Sequence, residues 1–226
     1  KIEKNLSPLL TIKEEDFDNS SRGIIYSLKE GLGTTTIKNI YKAYKEISDN
    51  DKKEFSKVGL RFGVRYLYMP DLLKPGSVKL RALLWGVMNN TYYNAALPDD
   101  GRVAYTPDEI APNDWYNKIG YSKLGDRVMR VDMVERLLAL IRVAAREGTF
   151  KITEEMLSIA GASKEQMSKV FLDLGFENTD KDKKNEITFE TLFKKKRKKI
   201  TFNKKQKLNN KNNLEHKSKN KNINEK

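Results

Sequence analysis

The chain has 226 residues, which can form one large domain or two small ones around a hydrophobic core, and it contains no cysteine and one histidine, His216. This composition excludes disulfides, thiolate zinc sites and cysteine nucleophiles, and it argues against a Ser-His-Asp triad or a histidine-ligated metal. The formal net charge is +13, but residues 181–226 hold 17 basic and 5 acidic residues, so residues 1–180 are almost neutral.

The N-terminal residues lack the apolar run of a signal peptide, and no stretch approaches the roughly 18 consecutive apolar residues of a membrane span. Together with the absence of cysteine, this pattern predicts a cytoplasmic protein without a membrane partner. The first residue is Lys1 rather than methionine, so we expect the chain to be a piece of a longer protein.

Residues 1–19 are polar and acidic, and we expect an irregular lead-in there. A helical accessory domain is predicted over residues 20–149. Its first helices are predicted over residues 20–33, 34–47 and 48–59, because apolar residues recur at helical spacing between serine or aspartate starts and glycine stops.

The stretch RFGVRYLYMP, residues 61–70, alternates as a strand does and supports two interpretations. In the first, Tyr66 and Tyr68 bury their rings in a core and send their hydroxyls outward. In the second, basic residues line a groove for nucleic acid, and a tryptophan stacks on a base. The residues of this candidate groove are Arg61, Arg65, Lys74, Arg81 and Trp85.

The segment SVKLRALLWGVMNN, residues 77–90, predicts a helix with an apolar stripe facing the core. The stripe residues are Leu80, Leu83, Leu84, Val87 and Met88. Arg81 and Trp85 are then expected at its margin. Residues 91–126 predict loops with short extended pieces, and residues 131–148 predict the most apolar helix, at the centre of the core.

Residues 150–193 predict a winged-helix-like module. Thr153 and Ser163 can cap two short helices separated by a glycine, which is helix-turn-helix spacing, and two β-prone runs follow. In a nucleic-acid interpretation, Lys164 and Lys169 of the second helix contact phosphates. The alternative is a spacer or protein-docking module, because that helix also carries acidic residues.

Residues 194–226 are rich in lysine and asparagine and hold few apolar residues, which predicts a disordered basic tail. Its first six residues are adjacent cations that attract any polyanion without sequence choice. These candidate nucleic-acid-binding residues are Lys194, Lys195, Lys196, Arg197, Lys198 and Lys199.

The sequence offers no catalytic residue for nucleotide hydrolysis. A phosphate-binding loop needs the pattern GxxxxGK[ST], and the nearest run, GLGTTT at 31–36, lacks the lysine and is better explained by helix termination. DEIA at 108–111 follows a proline-containing loop rather than a buried strand, so it does not fit a helicase acidic box.

Five segments, in chain order, resemble the C-terminal region of alphaproteobacterial superfamily-two helicases related to the mitochondrial degradosome RNA helicase. The segments are SRGIIYSLKEGLG, VGLRFGVRYLYMPDLLKP, LRALLWGV, GDRVMRVDMVERLLALIR and ITEEMLSIAGASKEQMSKVFLDLGF. The resemblance covers roughly residues 5–177. Its most specific part is the second segment, which carries the family's pattern in a shuffled order.

The resemblance implies that two RecA-like motor domains, with their ATP and magnesium sites, belong upstream of Lys1, so no cofactor is expected in this segment. It also implies nucleic acid as partner, with RNA expected, the motor domains in cis, and a nuclease or ribosomal protein as a further partner. The function it implies is the accessory, nucleic-acid-engaging region of an ATP-dependent helicase.

Two alternatives stay open at this point. One is a protein-interaction scaffold that touches RNA only through its tail. The other is a free-standing winged-helix DNA-binding protein. In all three cases the expected fold is mainly α with short β elements: a helical bundle, a winged-helix-like module and a disordered basic tail.

Overall fold

A computed structural model describes residues 2–179 and 187–196. The prediction of a mainly helical chain with short strands is confirmed. The helices are α1 (Ile2–Leu10), α2 (Asn19–Glu30), α3 (Tyr41–Glu46), α4 (Asp49–Lys57), α5 (Pro75–Asn89), α6 (Asn113–Lys118), α7 (Val131–Ala144), α8 (Glu154–Ala160) and α9 (Lys164–Leu174).

The strands form small antiparallel sheets of three strands each. They are β1 (Thr34–Thr36), β2 (Arg61–Phe62), β3 (Tyr66–Tyr68), β4 (Ala104–Tyr105), β5 (Tyr121–Leu124), β6 (Arg127–Arg130), β7 (Thr149–Lys151), β8 (Phe176–Asn178) and β9 (Leu192–Lys195). The spatial orders are β1-β3-β2, β4-β6-β5 and β7-β9-β8, so a later strand lies in the middle of each sheet.

The N-terminal segment is not an irregular lead-in. Residues 2–10 form α1, and four apolar side chains of the first 17 residues are buried with α2 and α4 in one core cluster. They are Leu6, Leu9, Ile12 and Phe17. The expectation of an irregular segment was wrong because acidic residues at 14–18 obscure apolar positions that fall on one side of a short helix.

The helix predicted over residues 34–47 is replaced by a strand and a shorter helix. Thr34–Thr36 pair with Tyr66–Tyr68, and α3 begins only at Tyr41. Three consecutive β-branched residues favour extended backbone, and the neighbouring strand β3 supplies the partner that a sequence pattern does not show.

Helix α5 forms as predicted, but its buried face is rotated away from the predicted stripe, of which only Leu80 and Leu84 pack against the core. Leu83, Val87 and Met88 of the predicted core stripe are exposed, by 53%, 65% and 79%. Arg81 and Trp85, expected at the margin, are buried instead. The helix lies between two core clusters, one that takes the Leu80 and Leu84 side and one that takes the Trp85 side, and Arg81 lies between them.

Residues 91–126 contain more structure than loops and extended pieces. Helix α6 carries Trp115 and Tyr116, which are almost fully buried and pack edge to face with ring centroids 5.0 Å apart. They form a core cluster with Val78 and Trp85 of α5 and with Tyr121 of β5. This aromatic cluster joins α5 to the β5–β6 hairpin.

Helix α7 lies at the core centre, as predicted, and the helix-turn-helix is present. Thr153 accepts a hydrogen bond from the Met156 N–H, and Ser163 forms a capping box with Gln166. Side chains of β3, α7, α8, α9 and β9 share one core cluster, and Lys1–Lys195 form one compact unit. The winged-helix assignment stays a prediction, since residues 180–186 lie outside the described residues, as do residues 197–226 of the predicted tail.

Among the helices of the described ranges, none combines the length and the apolar character that crossing a membrane requires.

Candidate nucleic-acid interface

The turn between β2 and β3 is held by a buried carboxylate. The side chain of Glu135, on α7, accepts hydrogen bonds from the backbone N–H groups of Val64, Arg65 (2.8 Å) and Tyr66 (2.7 Å). The carboxyl group reaches these donors because residue 63 is glycine: a Cβ there would lie 2.2 Å from the Glu135 Cδ. The RFGVRY stretch therefore has a structural role: its backbone anchors the β2–β3 turn to α7.

Beside this turn lies an open groove with a volume of about 640 Å³, which we call the Arg61–Arg142 groove. Its walls come from α3, the end of α4, β2, the β2–β3 turn, β3 and α7. The residues used below are Tyr44, Arg61, Phe62, Tyr68, Glu135 and Arg142. Arg61 and Arg142 are exposed, and their guanidinium groups make no hydrogen bond or ion pair within the described ranges.

The aromatic side chains of the groove are half-buried, so each presents part of a ring. Tyr44 and Phe62 are in contact, with centroids 6.3 Å apart. Burial raises the pKa of Tyr68, with smaller contributions from Asp132 and Glu135, so this phenol is neutral at physiological pH. A groove with two free guanidinium groups and partly exposed rings can bind phosphates and stack a base.

Arg81 does not line a groove, which corrects the sequence expectation. It is fully buried, and all its hydrogen bonds are internal. Nε donates to the Lys118 carbonyl (2.6 Å), Nη1 to the Leu72 carbonyl (3.1 Å), and Nη2 to the Gly31 carbonyl (3.3 Å) and the Thr34 hydroxyl (3.0 Å). Burial lowers the pKa of this guanidinium to about 9. Arg81 ties three chain segments together and is inaccessible to nucleic acid.

Trp85 is likewise not available to stack a base, because it is 8% exposed. Its indole N–H donates to the Asp114 carboxylate at 3.2 Å, and its ring contacts that of Tyr93. Trp85 belongs to the aromatic cluster between α5 and α6, and the expectation that it lies in a groove was wrong for the same reason as for Arg81: the helix faces inward on that side.

The other residues of the candidate groove are dispersed. The Arg65 guanidinium donates to the carbonyl of Asp173, at the end of α9, at 3.2 Å, so it joins the β2–β3 turn to the helix-turn-helix. Lys74 is exposed at the start of α5 and forms an ion pair of 2.6 Å with Asp71. Of the predicted set, only Arg61 lies in the Arg61–Arg142 groove.

The side-chain ammonium groups of Lys164 and Lys169 on α9 both already have an interaction partner within the fold. The Lys164 ammonium lies 4.7 Å from the centroid of the Phe189 ring, and Lys169 forms an ion pair with Asp126 in the β5–β6 turn. The Gly125 N–H of the same turn donates to the Asp173 carboxylate at 2.7 Å. The hairpin thus covers part of the helix face that a groove-reading helix would present to DNA.

The basic cluster at 194–199 begins inside the fold. Lys194 and Lys195 belong to β9, where Lys195 pairs with Phe176, and Lys195 and Lys196 are exposed. Arg197, Lys198 and Lys199 lie outside the described residues.

Sequence reasoning missed Tyr44, Tyr68 and Arg142 as groove residues. The sequence shows only the apolar stripe of α7, which does not include Arg142. That Arg142 lies beside β2 depends on how α7 packs in the fold. No group of three or more His, Cys, Asp or Glu side chains converges on a metal position within residues 2–179 and 187–196.

Comparison with protein-family models, with curated proteins and with solved structures finds no match for this chain.

Proposed function

We propose that this chain is a nucleic-acid-engaging accessory region, without catalytic activity of its own, that binds single-stranded RNA. The observation that carries the proposal is the partition of charge. Residues 181–226 hold 17 basic and 5 acidic residues, whereas the preceding 180 residues are almost neutral. Such a local excess of cations binds phosphates by releasing counterions, with little dependence on sequence.

The Arg61–Arg142 groove supports a second contact on the folded part. Its guanidinium groups have no hydrogen-bond or ion-pair partner among the residues that the structure describes, and its rings are partly exposed beside them. Stacking on aromatic rings and electrostatic contact with the backbone are the two components by which proteins bind single strands without reading sequence.

The helicase context of the proposal rests on the resemblance of the five segments alone. Under it, this chain would guide or hold a strand beside motor domains that supply ATP hydrolysis. The purified chain is then expected to release no phosphate from ATP, with or without RNA. Turnover that co-purifies with the chain through successive columns would contradict this assignment.

Salt-dependent RNA binding by full-length variants tests the proposal. Replacing Lys196, Arg197, Lys198 and Lys199 by glutamine leaves β9 intact and should flatten the plot of log affinity against log salt by about 0.7 per lost phosphate contact, up to about 3 in total. Fluorescence anisotropy with a labelled single-stranded oligonucleotide measures this slope. An unchanged slope and affinity would refute the role of the tail.

The groove is tested by the pair Arg61→Ala and Arg142→Ala in one full-length variant. We expect a further loss of affinity of roughly tenfold, since two phosphate contacts and their support for stacking are removed. The matched control is Arg22→Ala with Arg102→Ala, which removes the same charge from exposed positions outside the groove. Equal losses in both variants would mean that only net charge matters.

A protein-interaction scaffold is the second candidate function, and one observation favours it. Leu83, Val87 and Met88 form an exposed apolar face on α5, and residues 82–98 contain no charged side chain. Exposed apolar faces of this kind are typical of protein-binding surfaces. If the scaffold is correct, the tail variant loses RNA binding and the groove variant keeps it.

The free-standing winged-helix DNA-binding protein has less support. The exposed part of α9 carries Glu165 and Asp173 besides its lysines, and the β5–β6 turn occupies Lys169. A helix of this charge does not have the one-sided basic surface expected of a groove reader.

A further inference from the structure

A second cleft, separate from the Arg61–Arg142 groove, lies between the end of α2, strand β1 and helix α6. Its volume is about 370 Å³. We call it the Thr35 cleft. The lining residues used here are Ser27, Thr35, Asn39, Asp114, Asn117 and Lys118, together with Glu30. The volume lies within the range of small-ligand sites.

Hydrogen bonds from the buried Arg81 side chain hold the walls of the Thr35 cleft in place. Gly31, Thr34 and Lys118 all line the cleft, and all three supply an acceptor to the buried Arg81 guanidinium, at 3.3, 3.0 and 2.6 Å. One side chain thus joins α2, β1 and α6 at the edges of the cleft. A site whose walls are already fixed loses little entropy when a ligand binds.

The charged groups of the cleft are already engaged. The Lys118 ammonium donates to the Glu30 carbonyl (2.7 Å), the Tyr26 hydroxyl donates to the Glu30 carboxylate (3.0 Å), and the Trp85 indole donates to Asp114 (3.2 Å). The lining thus holds two carboxylates and one ammonium, and the buried Arg81 guanidinium is bonded to the cleft walls. The cleft therefore favours neither a simple anion nor a simple cation.

The unengaged groups are neutral. The side chains of Ser27, Thr35, Asn39 and Asn117 make no hydrogen bond within the described ranges, although Thr35 is only 6% exposed. Hydroxyl and amide groups both donate and accept, which suits a ligand that carries several hydroxyls and a polar ring edge. A ribonucleoside has this combination, and its 2′-hydroxyl is the group that distinguishes RNA from DNA.

We propose that the Thr35 cleft binds a ribonucleoside unit, and that on an RNA strand it selects ribose over deoxyribose. The choice of ligand class rests on the proposed function, because an RNA-binding chain meets ribonucleosides as part of its strand. The cleft would supply the preference for RNA that the basic tail, which responds to any phosphate backbone, does not provide.

The test is a titration of the full-length, ¹⁵N-labelled chain with uridine, adenosine, 2′-deoxyuridine and inorganic phosphate, followed by NMR. We expect saturable shifts at cleft residues with a ribonucleoside, weaker binding of the deoxynucleoside, and no comparable shifts with phosphate. Asn39→Ala with Asn117→Ala should weaken nucleoside binding at least tenfold. Asn113→Ala, exposed on the same helix and outside the cleft, is the control and should leave it unchanged.

Absence of nucleoside shifts, equal shifts with phosphate, or equal loss in the Asn113→Ala control would each overturn the inference. The glutamine variant of residues 196–199 tests the cleft independently of the basic tail. A nucleoside carries no phosphate, so it should bind that variant as it binds the unchanged chain. Salt-dependent RNA binding that survives while nucleoside binding is absent would refute the cleft alone.

Discussion

At the scale of single residues, the absence of a side chain at Gly63 allows the contact between Glu135 of α7 and the β2–β3 turn. The Glu135 carboxyl occupies the space where a Cβ at residue 63 would be, and from there it accepts three backbone N–H groups. Val64 and Arg65 lie in the turn between β2 and β3, outside both strands, so the carboxylate removes the cost of leaving their N–H groups unpaired.

Gly63→Ala should therefore lower the free energy of unfolding by about 1–3 kcal/mol, because the methyl group displaces the carboxylate from its donors. Urea denaturation measures the change. Gly23→Ala is the contrasting variant: the new Cβ would meet only the Ala43 Cβ at 3.8 Å, and removing a glycine from a helix should raise stability by up to about 1 kcal/mol. Equal effects of the two substitutions would contradict this account of the turn.

Tyr121 predicts how stability depends on pH. Burial raises the pKa of Tyr121 to about 12, above the ordinary value of 10.0, so the unfolded chain loses this proton at lower pH than the folded one. The stabilisation is fully present below pH 10 and is lost as the pH rises towards 12. Burial also raises the pKa of Tyr105, which acts in the same direction.

Tyr121→Phe checks this dependence. The variant loses the hydrogen bond from the hydroxyl to the Arg102 carbonyl (2.6 Å), so it should be less stable than the unchanged chain at pH 8. Its stability should then fall less steeply between pH 10 and 12. Urea denaturation midpoints of the variant and the unchanged chain are compared at pH 8, 10 and 11. If both midpoints fall equally with pH, Tyr121 is not the source of the pH dependence and the prediction is wrong.

At the scale of elements, α5 lies against two core clusters and leaves a narrow apolar face outside. Met88→Ser, at a position 79% exposed, should change stability by no more than about 0.5 kcal/mol. Trp85→Ser, three residues earlier and 8% exposed, should cost about 3–5 kcal/mol. Thermal or urea unfolding measures the stability lost in each variant. A larger loss for Met88→Ser than for Trp85→Ser would mean that α5 buries the face predicted from the sequence.

The elements that the sequence predicts well are those with local signals. Ser48, Thr153 and Ser163 cap helices where a capping residue was expected, because a cap is a contact between residues only three positions apart. The serine cap expected at residue 20 or 21 was wrong, since α2 begins after Asp18 and has no side-chain cap. The β1 strand and the orientation of α5 depend on partners distant in sequence. On the buried side, Trp85 packs in the aromatic cluster and Arg81 donates hydrogen bonds to distant backbone carbonyls, and neither set of partners is visible in the local spacing.

The candidate site could be predicted only in part for the same reason. Charge is visible in any sequence, so the basic residues at 194–199 and Arg61 were identified. Accessibility is not visible: Arg81 is a cation with no carboxylate partner among the described residues, yet it is fully buried. Arg142 joins Arg61 through packing of α7 against the β2–β3 turn, which no spacing in the sequence indicates.

At the scale of the whole molecule, β9 carries the first two residues of the basic cluster, Lys194 and Lys195. This strand lies between β7 and β8 and carries Phe193, which is 1% exposed and packs on Phe171 with ring centroids 4.9 Å apart. The first residues of the basic cluster are thus also part of a sheet. Removing the tail for a binding assay without damaging the fold requires that residues 192–195 stay in place.

A chain ending at residue 196 should unfold with a midpoint temperature within a few degrees of the full chain, because it keeps β9 and every core cluster of residues 2–179 and 187–196. A chain ending at residue 191 loses β9 and a buried phenylalanine, which alone costs about 3–5 kcal/mol. Thermal unfolding followed by circular dichroism distinguishes the two. Similar transitions in both shortened chains would show that β9 is dispensable.

The position of β9 also determines when this protein can finish folding during synthesis. The two outer strands of the last sheet leave the ribosome first, and the strand that must pair with both follows them. Until it emerges, Phe150 and Phe171 can pack on each other and on Phe176 but lack Phe193, so we expect part of their apolar surface to stay exposed on the nascent chain.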